Sequence, residues 1–322
     1  MPDHSPEALT RAVLYTLAYA DIFDYPLTAP EIHHYLTGLH APLEAILRTL
    51  GANGLSARRG DYFTLPGREE IVSVRMQREA RSRALLPRAM QYGRLLGALP
   101  FVRMAALTGS LAMLNLSSRA DMDYMLVTQT GRLWTARAFA VTLGRLLRPL
   151  GHRICVNLLV SENALFWPRH DLYSAREMCQ MIPITGADVY CRLRAANAWT
   201  ESILPNSTLS APVLARVSPH NETNRIQRLL ELPLRGQRGA RLEQWAMEFQ
   251  LHLMSQRPGA GEETSFSPDV CQANFDHHGS WTRRAFEKRL QQYIVAGDPW
   301  LRGGAPASRG TFGVATQSPH LP

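Results

Sequence analysis

The sequence is poor in lysine, in closely spaced cysteines and in long apolar stretches. Lys288 is the single lysine among 35 basic residues, and the four cysteines form no Cys-x-x-Cys pair. Cysteine spacing therefore gives no support to a zinc site, and buried free thiols are the expected state. No apolar run reaches the roughly 20 residues that cross a bilayer, and the acidic N-terminus lacks the layout of a signal peptide. We therefore expect a cytoplasmic protein without a membrane partner.

The composition is otherwise that of a globular protein with an excess of positive charge. Apolar residues make up 45% of the 322 positions and charged residues 19%, which argues against wholesale disorder. The net charge of +8 favours polyanionic partners, either nucleotides or nucleic acids. Because the excess is almost wholly arginine, genomic base composition is an alternative explanation for it.

Residues 1–66 have the pattern of three helices followed by a hairpin. The segment from Thr28 to Glu31 is typical of a capping box, and residues 42–52 predict the third helix. Residues 55–65 predict two extended pieces around an Arg-Gly-Asp turn. This order resembles a winged helix-turn-helix, which implies that Arg58 and Arg59 contact the phosphate backbone of DNA. The alternative is a winged helix used for packing or protein contact, because the third helix has few side chains that read base edges.

Residues 67–206 predict an α/β domain preceded by a long helix. Residues 68–98 predict one long helix or two helices interrupted near Pro87, and the arginines at 68, 75, 78 and 81 are typical of a solvated face. Apolar runs at 101–108, 124–128 and 154–160 predict strands, and residues 133–147 predict a helix before the third of them. Strands that alternate with helices indicate an α/β layer.

The rest of the chain predicts a helical region and a tail. Residues 207–301 are expected to be mostly helical, with two helices within 226–254 and a shorter amphipathic helix at 281–294. Residues 302–322 are rich in Gly, Pro and Ser, a composition typical of disorder.

The segment that carries chemistry joins the first two strands of the α/β domain. Gly109 and Ser110 follow the first strand, and Asp121 and Asp123 lead straight into the second. Side chains two positions apart in a strand share a face, so both aspartates can reach one divalent cation of the kind that carboxylates and phosphate oxygens hold together. Gly109 lets the backbone approach a triphosphate, and the Ser110 hydroxyl can bond a phosphate oxygen. The alternative is a helix cap at Ser110 and a surface turn at the two aspartates.

This segment resembles the signature of the DNA polymerase β nucleotidyltransferase superfamily, in which a Gly-Ser pair is followed at this spacing by an Asp-x-Asp flanked by apolar residues. The resemblance implies a mixed sheet flanked by helices, two Mg²⁺ ions, and transfer of a nucleotidyl group from a nucleoside triphosphate with loss of pyrophosphate. It also implies that Asp121 and Asp123 are the catalytic metal ligands and that Gly109 and Ser110 bind the triphosphate. Residues from about 100 to 210 further resemble a family of bacterial nucleotidyltransferase-like proteins of unassigned role.

One part of the superfamily pattern is missing. A third carboxylate usually lies on a later strand, and the matching position here is Asn157, whose amide oxygen can contact a metal but cannot act as a base. Glu162, Asp171 and Glu177 are candidates to substitute for it from a nearby loop.

Two functions therefore remain open. The first is Mg²⁺-dependent transfer of a nucleoside monophosphate to a hydroxyl of a protein, a small molecule or RNA, with activity weakened by Asn157. The second is a catalytically inactive regulator that senses a nucleotide or binds DNA through the winged helix.

Overall fold

The computed structural model describes residues 5–51, 54–117, 121–151, 153–207, 225–256, 258–259, 261 and 263–293. The predicted tail at 302–322 lies outside these residues. The N-terminal region consists of helices α1 (Pro6–Asp21), α2 (Ala29–His34) and α3 (Leu43–Gly51) and of strands β1 (Leu27–Thr28), β2 (Ala57–Arg59) and β3 (Tyr62–Thr64). The three strands form a small sheet in the order β1-β3-β2.

Local sequence signals explain where these N-terminal elements begin and turn. Thr28 and Glu31 form the predicted capping box at the start of α2, which satisfies backbone N–H groups that have no partner within the helix. Gly60 has a φ of 64° in the turn between β2 and β3, a conformation that glycine adopts without steric cost. The predicted capping box and the predicted hairpin are both present.

A long helix, α4 (Ile71–Gly97), connects the N-terminal region to the central sheet. The solvated basic face predicted for this segment is wrong at Arg75, which is buried. The Arg75 guanidinium lies 3.8 Å from the centre of the Tyr25 ring and pairs with Glu31 at 2.7 Å. A buried charge needs such partners, so this arginine joins α4 to α2.

The central sheet has six strands in the order β7-β4-β5-β6-β9-β8. These strands are β4 (Val102–Thr108), β5 (Met122–Thr128), β6 (Ile154–Ser161), β7 (Ile182–Thr185), β8 (Thr264–Phe266) and β9 (Val270–Ala273). Strands β5 and β6 are parallel and the other neighbours are antiparallel. The helices between them are α5 (Gly109–Ala112), α6 (Leu133–Leu147), α7 (Leu172–Gln180), α8 (Ala187–Ala196) and α9 (Thr200–Ile203). The predicted α/β class, with a mixed sheet and helices, is confirmed.

Helices cover both faces of this sheet. Tyr124 of β5 packs in the apolar cluster that includes α4 and α6, whereas the next residue, Met125, packs in the cluster that includes α7 and α8. Successive side chains of a strand point to opposite faces. Asp123, two residues before Met125, therefore lies on the side of α7 and α8.

The third region contains helices α10 (Arg225–Glu231), α11 (Gly236–Ser255) and α12 (His278–Tyr293). It also supplies β8 and β9, so the prediction of a mostly helical region is incomplete. Strand β9 pairs with β6, with Cys271 opposite Leu159. Strands of three and four residues are too short for an alternating pattern to identify them in the sequence. Strand β9 depends on a pairing partner more than 100 residues away in the chain, and β8 pairs in turn with β9.

Helix α12 returns to the N-terminal region. Leu290 is buried in the same apolar cluster as the residues of α1, and Arg289 pairs with Asp21 at 3.0 Å. At the start of α12, the buried Glu263 accepts hydrogen bonds from the N–H groups of Gly279 and Ser280, where the helix dipole favours a negative charge.

The longest described helix, α4, carries arginines along its length. No helix in the described part of the chain combines the length and the apolar character needed to cross a membrane.

Candidate functional site

The Gly-Ser and Asp-x-Asp segments meet at one edge of the central sheet. Thr108, at the end of β4, pairs with Asp123 in β5, and Gly109 follows with a φ of 64°. A Cβ atom at residue 109 would lie 2.5 Å from Oδ2 of Asp123. Glycine is therefore required here both by its backbone conformation and by the close approach of the carboxylate. Ser110 is half-buried in the first turn of the short helix α5.

The two aspartates carry negative charge that their surroundings leave partly uncompensated. Oδ1 of Asp121 is buried and has no hydrogen-bond partner among the described residues, although the side chain as a whole is 41% exposed and this oxygen pairs at 3.9 Å with Arg153. Burial and the charge of Asp121 raise the pKa of Asp123 to about 7, because low solvation and a like charge both disfavour the carboxylate. A divalent cation would relieve both effects, so the pair fits Mg²⁺.

The register between β5 and β6 decides which residue lies beside the aspartates. Asp123 pairs with Cys155, and the pairing then skips Asn157. The Cys155 thiol hydrogen-bonds to the Asp123 carboxylate, and burial, with the charges of Asp123 and Asp121, raises the pKa of Cys155 to about 12. The neighbouring strand therefore places a neutral thiol beside Asp123, and Asn157, the predicted third ligand, falls at an irregularity of the strand.

Of the three acidic residues considered as a third carboxylate, two are engaged elsewhere. Glu162 pairs with Arg192 at 2.6 Å, and the Asp171 side chain caps the first turn of α7. Glu177 in α7 interacts with the site, because burial and the charge of Asp123 together raise the pKa of Glu177 to about 7. Glu177 is therefore the candidate that lies within electrostatic range of the aspartate pair.

The N-terminal region packs against the end of α5, the helix that begins with Gly109 and Ser110. The Tyr25 hydroxyl donates a 2.6 Å hydrogen bond to the carbonyl of Met113, directly after α5, and the Tyr35 hydroxyl lies 3.3 Å from the Met113 sulfur. On α7, Arg176 is buried against the rings of Tyr19 and Tyr35. The sequence gives no sign of these contacts, since tyrosines that pack in this way are indistinguishable from ordinary core residues.

The fit of a metal ion depends on the aspartate pair and on the substrate. Among the described residues, no three His, Cys, Asp or Glu side chains are grouped so as to hold a metal ion. Asp121 and Asp123 supply carboxylate oxygens, and phosphate oxygens of a nucleotide commonly complete the coordination of Mg²⁺. Residues 118–120, directly before Asp121, lie outside the described part of the chain.

No protein-family model, no curated protein and no solved structure matches this chain. The described residues define a mixed α/β protein whose central sheet presents two neighbouring carboxylates at one edge, beside a glycine in the left-handed conformation.

Proposed function

We propose that the chain is an Mg²⁺-dependent nucleotidyltransferase, which transfers a nucleoside monophosphate from a nucleoside triphosphate to a hydroxyl of an acceptor. The observation that carries this proposal is the neighbouring pair of carboxylates, in which the buried Oδ1 of Asp121 accepts no hydrogen bond from the described residues and lies 3.9 Å from Arg153. The left-handed Gly109 against the Asp123 carboxylate supports it. A polymerase β-like arrangement of the central sheet and a winged helix at the N-terminus belong to the same proposal.

In this proposal each group has a defined role. Asp121 and Asp123 hold Mg²⁺, while the backbone of Gly109 and the hydroxyl of Ser110 hold the triphosphate. Bound Mg²⁺ neutralises charge on the phosphates and on the departing pyrophosphate. The acceptor oxygen bonds to the α-phosphorus as the bond from that phosphorus to the bridging oxygen breaks, and the hydroxyl proton leaves to solvent. Such chemistry depends on positioning and charge compensation.

Nucleotide binding tests the proposal directly. Calorimetric titration with ATP, GTP, CTP and UTP, each with and without Mg²⁺, compares the wild type with Asp121→Asn/Asp123→Asn. We expect metal-dependent binding of at least one triphosphate, and its loss in the double variant. The control, Glu44→Gln/Asp61→Asn, removes two exposed carboxylates elsewhere and should bind like the wild type. Triphosphate binding that survives in Asp121→Asn/Asp123→Asn would refute this site.

Transfer is then followed with nucleotide labelled at the α-phosphate and offered to protein, small-molecule and RNA acceptors. The proposed reaction requires one pyrophosphate released for each label transferred. Label that appears only as free nucleoside monophosphate would indicate hydrolysis instead.

A second candidate is a catalytically inactive regulator that senses a nucleotide and binds DNA. It is favoured by the neutral Cys155 and Asn157 on the strand where a carboxylate is usual. The N-terminal region also exposes Arg48, Arg58 and Arg59. A protein that contacts phosphates through such residues should lose DNA affinity steeply between about 50 and 200 mM salt. An absence of DNA retention at the lower salt concentration would exclude DNA binding.

A further inference from the structure

A cavity of about 280 Å³ adjoins Asp121 on the side of β6. It lies between α6 and the start of β6, and Gly144 of α6 contributes to its lining. The cavity lies on the face of the sheet that α6 covers, whereas Asp123 lies on the face covered by α7 and α8. Of the two aspartates, Asp121 is the one that lines the cavity. The arginines that line the cavity are Arg145, Arg148 and Arg153.

The charge of these arginines is little compensated. Within the described chain, we find no carboxylate paired with Arg145 or Arg148, both of which are exposed. Arg153 is 64% exposed, and its pair with Asp121 is long at 3.9 Å. Guanidinium groups match the geometry of phosphate oxygens and bind them with two parallel hydrogen bonds. A cavity of this volume is near the lower end of the range for small-ligand sites, large enough for a phosphate group and part of the molecule that carries it.

We infer that this cavity binds a phosphate group of the acceptor, so that the acceptor approaches the site from the side of Asp121. The triphosphate of the donor is assigned to the side of Gly109 and Ser110, which leaves the arginine-lined side for the second substrate. The role as an acceptor site rests on the proposed function. The acceptor is then a hydroxyl compound that carries phosphate, either a single-stranded RNA end or a phosphorylated small molecule.

Two matched charge variants test the cavity. Arg145→Gln/Arg148→Gln removes two of its arginines. Arg238→Gln/Arg241→Gln removes two exposed arginines of α11, whose Glu243 accepts a hydrogen bond from Trp134 at the opposite end of α6. The probe is a short fluorescein-labelled single-stranded RNA, followed by fluorescence anisotropy with the full chain.

We expect the cavity variant to lose RNA affinity by about tenfold or more and to show a shallower salt dependence, because each lost phosphate contact lowers the slope by about one. The α11 variant should remain close to the wild type. Equal losses in the two variants, or no loss in the cavity variant, would overturn the inference.

Competition distinguishes the two sources of phosphate. If ribose 5-phosphate displaces the RNA, one phosphate group suffices and a small phosphorylated acceptor is favoured. If only unlabelled RNA displaces it, the acceptor is a polynucleotide. Should the RNA not bind, ribose 5-phosphate is titrated directly by calorimetry, and a failure of both ligands to bind overturns the inference.

A variant that changes no charge distinguishes binding inside the cavity from binding to the exposed arginines at its rim. A Cβ atom at Gly144 would meet the Ile154 carbonyl at 3.5 Å, an ordinary contact, so Gly144→Leu is compatible with the helix while it takes volume from the cavity. We expect weaker binding of the phosphate ligand although all three arginines remain. Affinity equal to that of the wild type would show that the ligand binds outside the cavity, contrary to the inference.

Nucleotide affinity distinguishes a failure of this inference from a failure of the proposed function. Arg145→Gln/Arg148→Gln should bind the Mg²⁺–nucleotide complex like the wild type. A loss of nucleotide affinity would assign these arginines to the donor and overturn the acceptor site. If the wild type binds no triphosphate but its phosphate binding still depends on the two arginines, the proposed function fails and only the phosphate site stands.

Discussion

Gly109 is the residue at which backbone conformation and the candidate site constrain each other. Its φ of 64° costs a residue with a Cβ about 1–2 kcal/mol. Its Cβ position also lies 2.5 Å from the Asp123 carboxylate. We predict that Gly109→Ala lowers the free energy of unfolding by at least this amount and also weakens Mg²⁺-dependent nucleotide binding about tenfold or more, because the carboxylate has to move.

Gly60→Ala is the matched control for this substitution. Gly60 has the same φ of 64°, but no atom of the described residues lies within 4 Å of its Cβ position. Urea denaturation should show a loss of about 1–2 kcal/mol for this variant, and calorimetry should show unchanged nucleotide binding. Equal nucleotide affinities in the two variants would mean that the contact between Gly109 and Asp123 is irrelevant to the site.

The residues of the site differ in how far the sequence could predict them. Asp121, Asp123 and Gly109 follow from local rules, namely strand alternation and the special freedom of glycine. The position of Cys155 depends on where the β5–β6 pairing skips a residue, and that of Glu177 depends on how α7 packs against the sheet. Both are tertiary properties with no signature in a single sequence, whereas the prediction of Asn157 as a third ligand rests on the superfamily pattern alone.

At the scale of the elements, the surroundings of α4 also depend on tertiary contacts that a single sequence does not reveal. Its arginine pattern is equally compatible with a solvated face and with an interface, because charge alone does not reveal which partner lies opposite. Both Arg83 and Arg75 pair with Glu79 within the helix, but Arg83 is exposed, whereas Arg75 is buried and also pairs with Glu31 of another element. The carboxylate that distinguishes the two arginines, Glu31, lies far from α4 in the sequence.

His34 at the end of α2 lies within electrostatic range of arginines in α7 and α8, and this should give the fold a specific pH dependence. Burial, and then the charges of Arg176 and Arg194, lower the pKa of His34 to about 4. In the unfolded chain, His34 binds a proton near pH 6.5. The stability that the neutral ring contributes to the fold is therefore fully present above that pH and is lost as the pH falls towards 4. The upper bound of this effect is about 3 kcal/mol.

We predict that His34→Gln makes the free energy of unfolding less dependent on pH between about 4 and 6.5. Chemical denaturation at a series of pH values measures this. His40→Gln, at an exposed position, should keep the slope of the wild type. A slope in His34→Gln as steep as in the wild type would show that His34 is not kept neutral by its surroundings.

At the scale of the whole molecule, segments that are distant in sequence form a common sheet and a common apolar cluster. The third region adds β9 and β8 to the sheet begun by the central region, and α12 then packs on α1. Asp21, at the end of α1, pairs with both Arg68 and Arg289. Local periodicity in the sequence predicts most helices and the longer strands. The packing of the third region against the other two depends instead on two short strands and on contacts across most of the chain.

Substitution of Leu290 measures how much the packing of α12 on α1 contributes to the free energy of unfolding. Its side chain is 4% exposed and packs in the apolar cluster of α1, so Leu290→Ala should lower the free energy of unfolding by about 2–5 kcal/mol. Leu146→Ala removes the same atoms from a side chain that is 71% exposed and should change stability by less than about 0.5 kcal/mol. Urea denaturation measures both, and hydrogen exchange should show faster exchange of the α1 amides in Leu290→Ala alone. If the two variants unfold at the same urea concentration, α12 is a loosely attached segment, and the N-terminal region is held in place by α4 and its buried arginine instead.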